Sequence, residues 1–171
     1  MLEIIFLDID GVMNMDGSSS RTFMKPYGQH IEPHLVCRLN YICEKIKELR
    51  IVISSSWRGD MEDLKKQLEE QGFRYWNRVI GKTCKAELKD QSEKPPHDLK
   101  TSFYYINRGE QIKQWLDENK FKGRYLVIDD EISDICGERC RIIPSENILQ
   151  TDSNEGMLNK DALFIVRFFN D

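Results

Sequence analysis

Along this chain, short unbroken apolar runs alternate with longer stretches whose apolar residues recur every three or four positions. Residues 2 to 8 carry Ile4-Ile5-Phe6-Leu7 and end on Asp8. A run without polar alternation reads as a strand covered on both faces, as in a buried parallel sheet. Arg50-Ile51-Val52-Ile53 repeats the pattern and ends in Ser54-Ser55-Ser56, and Tyr125 to Ile128 repeats it again and ends in Asp129-Asp130. Between these runs, Leu35, Val36, Leu39, Ile42, Cys43 and Ile46 keep helical spacing from Pro33 to about Leu49. Met61, Leu64 and Leu68 mark a helix over Asp60 to Gln71, stopped by Gly72, and Ile112, Trp115 and Leu116 mark another over Arg108 to Asn119. Tyr75 to Ile80 is expected as a further strand, Ile142-Ile143 as a short buried one, and Asn159 as the cap of a last helix carrying Leu163, Val166 and Phe169. Residues 14 to 30 read as an extended loop or small hairpin. Lys89 to Ser102, polar and with Pro95-Pro96, reads as a mobile loop.

Strands alternating with helices at this spacing predict an α/β fold, a doubly wound parallel sheet. At 171 residues a single domain over 1–171 is expected. Ligands of such sheets lie beyond the carboxyl ends of the strands. That rule gathers scattered positions: Asp8 and Asp10, Ser54 and Ser55, and Asp129 and Asp130 should converge at one edge.

Composition narrows the partners. A formal charge of −4 argues against the broad basic face of a general nucleic-acid or membrane binder. The clusters Lys45, Lys47, Arg50 and Lys120, Lys122, Arg124 read as solvated faces. Five cysteines, odd in number and without a CxxC pair, argue against a disulfide framework and for reduced thiols. Cys136 and Cys140, spaced to share a helix face or meet across a turn, read as small apolar side chains rather than metal ligands. No apolar segment reaches membrane-spanning length and no basic n-region opens the chain, so the expected location is cytoplasmic, with no membrane partner.

Several carboxylates at one sheet edge repel each other unless a hard cation neutralises them. Mg²⁺ takes one or two carboxylates, waters and phosphate oxygens, so the count suits it. A hydroxyl and free backbone amides at the end of the second strand can cradle a phosphate. Arg108, at the start of the helix leading into the third strand, is placed to offset the remaining phosphate charge.

Asp8-Ile9-Asp10-Gly11-Val12 resembles the first motif of the haloacid dehalogenase (HAD) superfamily of phosphohydrolases. The strand ending in Ser54-Ser55 resembles its second motif, and Val127-Ile128-Asp129-Asp130 its acidic fourth. The order matches across nearly the whole chain. Ser54-Ser55-Ser56-Trp57-Arg58, with Arg108-Gly109-Glu110 through Trp115-Leu116, resembles small HAD domains, some of them in RNA-repair proteins. The resemblance implies a Rossmann-like core with a minimal cap and a Mg²⁺-dependent phosphomonoesterase. In that reading Asp8 attacks phosphorus to give an aspartyl-phosphate, and Asp10 protonates the leaving oxygen and then activates water. Asp8, Asp10, Asp129 and Asp130 form the implied metal set. The second-motif hydroxyl is Ser54 or Ser55, Ser55 being favoured by analogy with members that carry a hydroxyl pair before tryptophan; Ser54 and Gly11 are placed at the substrate. The third motif is usually lysine; here Arg108 supplies the charge and a bidentate fork, with Lys113 as the second candidate.

Other residues have plainer readings. Asp134 reads as a helix cap ahead of an aid to the metal, Arg58 as a solvated side chain ahead of a substrate contact, Trp57 and Trp115 as core, with Trp57 also a candidate for the pocket rim, and Asn14 as a loop hydrogen-bonder. His30 and His34 have metal-like spacing, but Pro33 between them breaks the helix that would align them. A receiver-type phosphoacceptor module also clusters acids at a sheet edge, but it places an acidic pair first and a lone acceptor mid-chain, the reverse of this order. A silent binding domain would be marked by loss of Asp8 or Asp10, and both are present. With little chain left for a cap, the open site is expected to admit macromolecular phosphosubstrates, phosphoprotein or nucleic-acid ends, as well as small ones.

Overall fold

Five parallel strands in the order β3-β2-β1-β6-β7 carry the molecule. They are β1 (Glu3–Leu7), β2 (Leu49–Ile53), β3 (Val79–Lys82), β6 (Arg124–Asp129) and β7 (Ile148–Gln150). A separate antiparallel pair is formed by β4 (Leu88–Asp90) and β5 (Phe103–Tyr105). The helices are α1 (Pro33–Lys45), α2 (Met61–Glu70), α3 (Arg108–Glu118), the short α4 (Ser133–Cys136) and α5 (Asn159–Asn170). The structure is a computed structural model that describes residues 2–15, 30–84, 88–90, 103–136 and 142–171.

Why β1 is apolar from Ile4 to Leu7 is visible in the packing. Alternate side chains leave a strand on opposite faces, and both faces of this sheet are covered. Ile5 and Leu7 join Leu35, Leu39 and Ile42 of α1, Leu64 and Leu68 of α2, and Ile165 and Phe169 of α5. Ile4 and Phe6 join Ile112 and Leu116 of α3 and Ile135 of α4. Each fully buried aliphatic or aromatic side chain contributes about 1.5–3 kcal/mol of hydrophobic stabilisation before entropy is counted. The arrangement is the expected α/β, Rossmann-like fold, a parallel sheet flanked by helices.

Several boundaries differ from the sequence expectation. Helix α1 stops at Lys45 rather than near Leu49, because Leu49 is already strand, paired with Glu3. The strand expected over Tyr75 to Ile80 begins only at Val79; residues Trp76–Arg78 are a turn of 3₁₀ helix, and Arg78 donates to the carbonyls of Cys43 and Ile46 at 2.7 Å each. Ile142 and Ile143 are not a strand. Ile143 is buried from a turn, while the fifth strand is β7, whose half-exposed edge position hides it from an apolar-run reading. Asn159 starts α5 without capping it: its Oδ1 accepts from Arg38 Nε at 2.9 Å, and Asp161 Oδ2 accepts from the Leu158 N–H at 2.7 Å. Leu163 is 47% exposed, the inward positions being Ala162, Ile165 and Phe169. Of the loop expected at Lys89 to Ser102, Lys89 and Asp90 belong to β4; its residues 91–102, residues 16–29 of the first loop and Cys140 lie outside the described residues. Among the described residues no helix is long and apolar enough to cross a membrane.

Candidate active site

The sheet order reverses at β1: the chain proceeds through β2 and β3 on one side and β6 and β7 on the other. A crevice therefore opens beyond the carboxyl ends of β1 and β6, where the connections leave in opposite directions. Asp8 is the first residue past β1. Its N–H donates to Ile128 O at 3.0 Å, which extends the sheet ladder by one step and fixes the backbone under the carboxylate. Asp129 is the last residue of β6 and is fully buried. Neighbouring strands in register thus bring two carboxylates together.

Arg108 enters from a helix start built by its neighbours. Asn107 Oδ1 accepts from Glu110 N at 2.9 Å and Glu110 Oε2 accepts from Asn107 N at 2.8 Å, a reciprocal cap that fixes where α3 begins. From that first position, Arg108 Nη1 donates to Asp8 Oδ2 at 2.5 Å and to Asp129 Oδ2 at 2.6 Å. Asp8 Oδ1 accepts from its neighbour Ile9 N at 2.7 Å, and Asp129 Oδ1 accepts from Glu131 N at 3.0 Å. The Ser55 hydroxyl lies beside Asp8 and helps to hold its pKa down.

The protonation balance follows from burial and pairing. Burial raises the Asp8 pKa, opposed chiefly by Arg108 and then by the Ser55 and Ile9 hydrogen bonds. Burial, then the charge of Asp8, pushes Asp129 up to about 7, with Arg108 pulling the other way. Burial works against the Arg108 charge, but Asp8 and Asp129 outweigh it and hold the guanidinium above its ordinary value. One cation therefore faces more negative charge than it cancels.

Asp130 completes a set of three carboxylates, with ligand oxygens of Asp8, Asp129 and Asp130 all within 4.8 Å of one another. Gly11 wedges beneath it. At φ +66 its backbone is one that only glycine adopts without strain, and a Cβ there would stand 2.3 Å from Asp130 Cγ. Thr151 Oγ1 donates to Gly11 O at 2.9 Å, which pins the same loop from the far side of the sheet. Gly11 thus shapes the acid cluster through packing on Asp130.

Asp10, expected in the metal set, is not in this group of three. Its Oδ1 accepts from Trp57 Nε1 at 2.8 Å and Asn14 Nδ2 at 3.0 Å, and its Oδ2 accepts from Ser56 Oγ at 3.2 Å. Three residues past the end of β1, it follows the loop toward the β2 end rather than Asp129. Trp57 and Asn14, which the sequence places in core and loop, are the side chains that hold the Asp10 carboxylate. The available signal was an indole N–H, which needs an acceptor wherever the ring is half-buried, placed two residues after Ser55. Asn14 does make the expected loop bond as well, accepting from Gly11 N at 2.9 Å.

The two serines separate. Ser55 reaches Asp8 and caps the turn of 3₁₀ helix over Ser56–Gly59, accepting from Trp57 N. Ser54 Oγ is buried with no partner among the described residues. Lys113 lies on the surface, ion-paired to Asp117 at 2.6 Å, so α3 presents Arg108 to the carboxylates and turns Lys113 away. Arg58, expected in solvent, is half-buried, and its Nη1 donates to Ser55 O at 2.6 Å. His30 and His34 are exposed and Trp115 packs edge-on to Phe6 at 5.5 Å, as expected.

Comparison with known proteins adds two findings. The family model described as the HAD domain in Swiss Army Knife RNA repair proteins matches residues 4–162. Among solved structures, the HAD domain of effector protein Lem4 from Legionella pneumophila, an inactive mutant, is similar with a TM-score of 0.53, at 12% identity over 100% of both chains. At that identity the likeness is one of fold. No curated protein matches the chain.

Proposed function

Because the chain belongs to the family of HAD domains found in RNA repair proteins, we propose that it is a magnesium-dependent phosphomonoesterase acting through an aspartyl-phosphate. The observation that carries this reading is Arg108, joined at once to Asp8 and Asp129, beside a third carboxylate in Asp130. A phosphoryl group placed on Asp8 would meet a nucleophile, a cation and a hydroxyl without further movement of the backbone.

In this reading an Asp8 carboxylate oxygen attacks phosphorus while the bond to the leaving oxygen breaks. Asp10, as the acid, gives that oxygen its proton. As a carboxylate it then takes a proton from the water that attacks the aspartyl-phosphate, and inorganic phosphate is released with Asp8 restored. The indole of Trp57 and the amide of Asn14 hold Asp10 in place for both transfers. Arg108 and the Ser55 hydroxyl face the phosphoryl oxygens and stabilise the charge that develops there.

The donor set suits Mg²⁺: three hard oxygen ligands lie close together, and their charge exceeds what Arg108 offsets. Asp8, Asp129 and Asp130 would hold the ion, which when bound neutralises phosphoryl charge. The substrate placed first is a terminal phosphate of a nucleic acid, since the family is one of RNA repair; a phosphoprotein is the alternative. The test is a panel of aryl phosphate, nucleotides, sugar phosphates, phosphopeptides and phosphorylated oligonucleotides, assayed with Mg²⁺ and with excess chelator. Turnover with Mg²⁺ that vanishes in chelator is expected, with oligonucleotides preferred. Full activity in chelator removes the metal from the account, and turnover of none of the panel removes the phosphatase.

A further inference from the structure

Resting on that phosphatase reading, we infer that Arg58 is a second phosphoryl-binding cation, which closes on the substrate from the β2 side while Arg108 holds it from the α3 side. Three observations on Arg58 point the same way. It stands one turn past Ser55, whose hydroxyl helps to hold the Asp8 pKa down, and its Nη1 is tied to the Ser55 carbonyl at 2.6 Å. It has no carboxylate partner among the described residues, although it is half-buried. Its Nε is shut off from water and has no hydrogen-bond partner among the described residues.

A half-buried guanidinium is normally matched by an anion, because a desolvated cation with an unused N–H is costly. Arg58 is instead set near a like charge: burial and then Arg108 both disfavour its cationic form, while Cys84 and Asp8 favour it. Arg58 feels the charges of both Arg108 and Asp8, so a multiply charged anion bound at Asp8 would be drawn to both cations. A phosphoryl group on Asp8 supplies that charge between them. Nε and the second terminal nitrogen share one edge of the guanidinium, which matches two phosphoryl oxygens side by side. Turning onto that group gives Nε its acceptor while Nη1 stays on Ser55. A solvated arginine on a surface turn would show none of these features.

The competing role is bracing alone, with Arg58 doing no more than holding the Ser55 carbonyl. Binding of inorganic phosphate to the Mg²⁺-loaded protein, measured by calorimetry and as competitive inhibition of aryl phosphate hydrolysis, separates the two. Arg58→Gln and Arg58→Lys are compared with wild type, with melting temperature read alongside. Loss of a charge-assisted hydrogen-bonding partner is expected to weaken phosphate roughly 10–100-fold in Arg58→Gln. Arg58→Lys should recover part of it, and added guanidinium should restore binding in Arg58→Ala. Phosphate affinity within twofold of wild type in Arg58→Gln overturns the inference, whatever happens to turnover or melting. Should wild type itself neither bind phosphate nor hydrolyse aryl phosphate, the phosphatase reading fails first.

Discussion

Asp129 offers a test that needs no substrate. Its carboxyl is raised from 3.8 to about 7 by burial and by the neighbouring Asp8 charge, against the pull of Arg108. A carboxyl whose folded pKa lies above its unfolded one keeps its proton in the folded state while the unfolded chain has lost it. The stabilisation is therefore complete below the unfolded pKa and disappears as pH rises through the folded one, here between about pH 4 and about pH 7. Taken whole, the difference converts to roughly 4 kcal/mol, and sharing of the repulsion with Asp8 brings the expectation to about 2–3 kcal/mol. That is a large part of the roughly 5–15 kcal/mol that holds a domain folded. For a chain of this size it corresponds to a fall of about 4–12 °C in Tm. Glu131 and Asp152, both held below the carboxylate range by hydrogen bonds to backbone N–H groups, act with the opposite sign in more acid solution. The scan therefore runs from about pH 5 to about pH 8, in chelator, by calorimetry or circular dichroism. Metal-free wild type should lose Tm across that range. Asp129→Asn keeps an acceptor for Arg108 but carries no charge beside Asp8, and its Tm should fall less steeply, the remaining slope coming from Asp8, whose pKa burial also raises. Mg²⁺ should restore wild type more at the alkaline end than at the acid end. A level wild-type curve, or an Asp129→Asn curve as steep as wild type, refutes the reasoning.

Three further outcomes follow from the same geometry. Asp8→Asn should abolish turnover of aryl phosphate while the far-ultraviolet spectrum stays unchanged, since an amide is no nucleophile; wild-type turnover would sink the covalent route. Arg108→Ala should cost on the order of 10²–10³ in rate, with Arg108→Lys recovering part, while Lys113→Ala, which removes only a surface pair with Asp117, should cost little; the reverse ranking would reassign the third motif. Trp57→Phe removes one of the donors on Asp10 and should lower kcat roughly tenfold with KM little changed; an unaltered kcat would take Trp57 out of the mechanism.

Much of the frame was legible because it is written in long patterns. The apolar runs of β1, β2 and β6 declare themselves because both faces of the sheet are covered. The carboxyl-end rule then places Asp8, Ser55 and Asp129 together without knowledge of a single contact. Arg108 was legible as the first residue of a helix leading to an acidic strand end. What escaped depends on side chains that serve two environments. Trp57 reads as core from its type, yet it is its one polar atom that meets Asp10. Arg58 reads as surface from its charge, yet the carbonyl of Ser55 draws it inward. Asp10 is expected in the metal set from the family resemblance; the loop after β1 turns its side chain toward Trp57 instead. The strand β7 was missed for a related reason, as an edge position asks for no unbroken apolar run.

The placing of β1 at the centre of the sheet also dictates an order of events during synthesis and folding. Glu3 pairs with Leu49 on one side and with Arg124 on the other, and Gly11 receives its hydrogen bond from Thr151. A growing polypeptide therefore displays Asp8 at the end of an unpaired apolar strand long before Arg108 and Asp129 have emerged. Pairing across such sequence distances closes large loops and is slow relative to local structure. Until β6 docks, one edge of β1 stays open to foreign strands, which makes this the interval of greatest exposure to aggregation. Assembly of the acid cluster therefore waits on the docking of β6 against β1, which brings Asp129 beside Asp8.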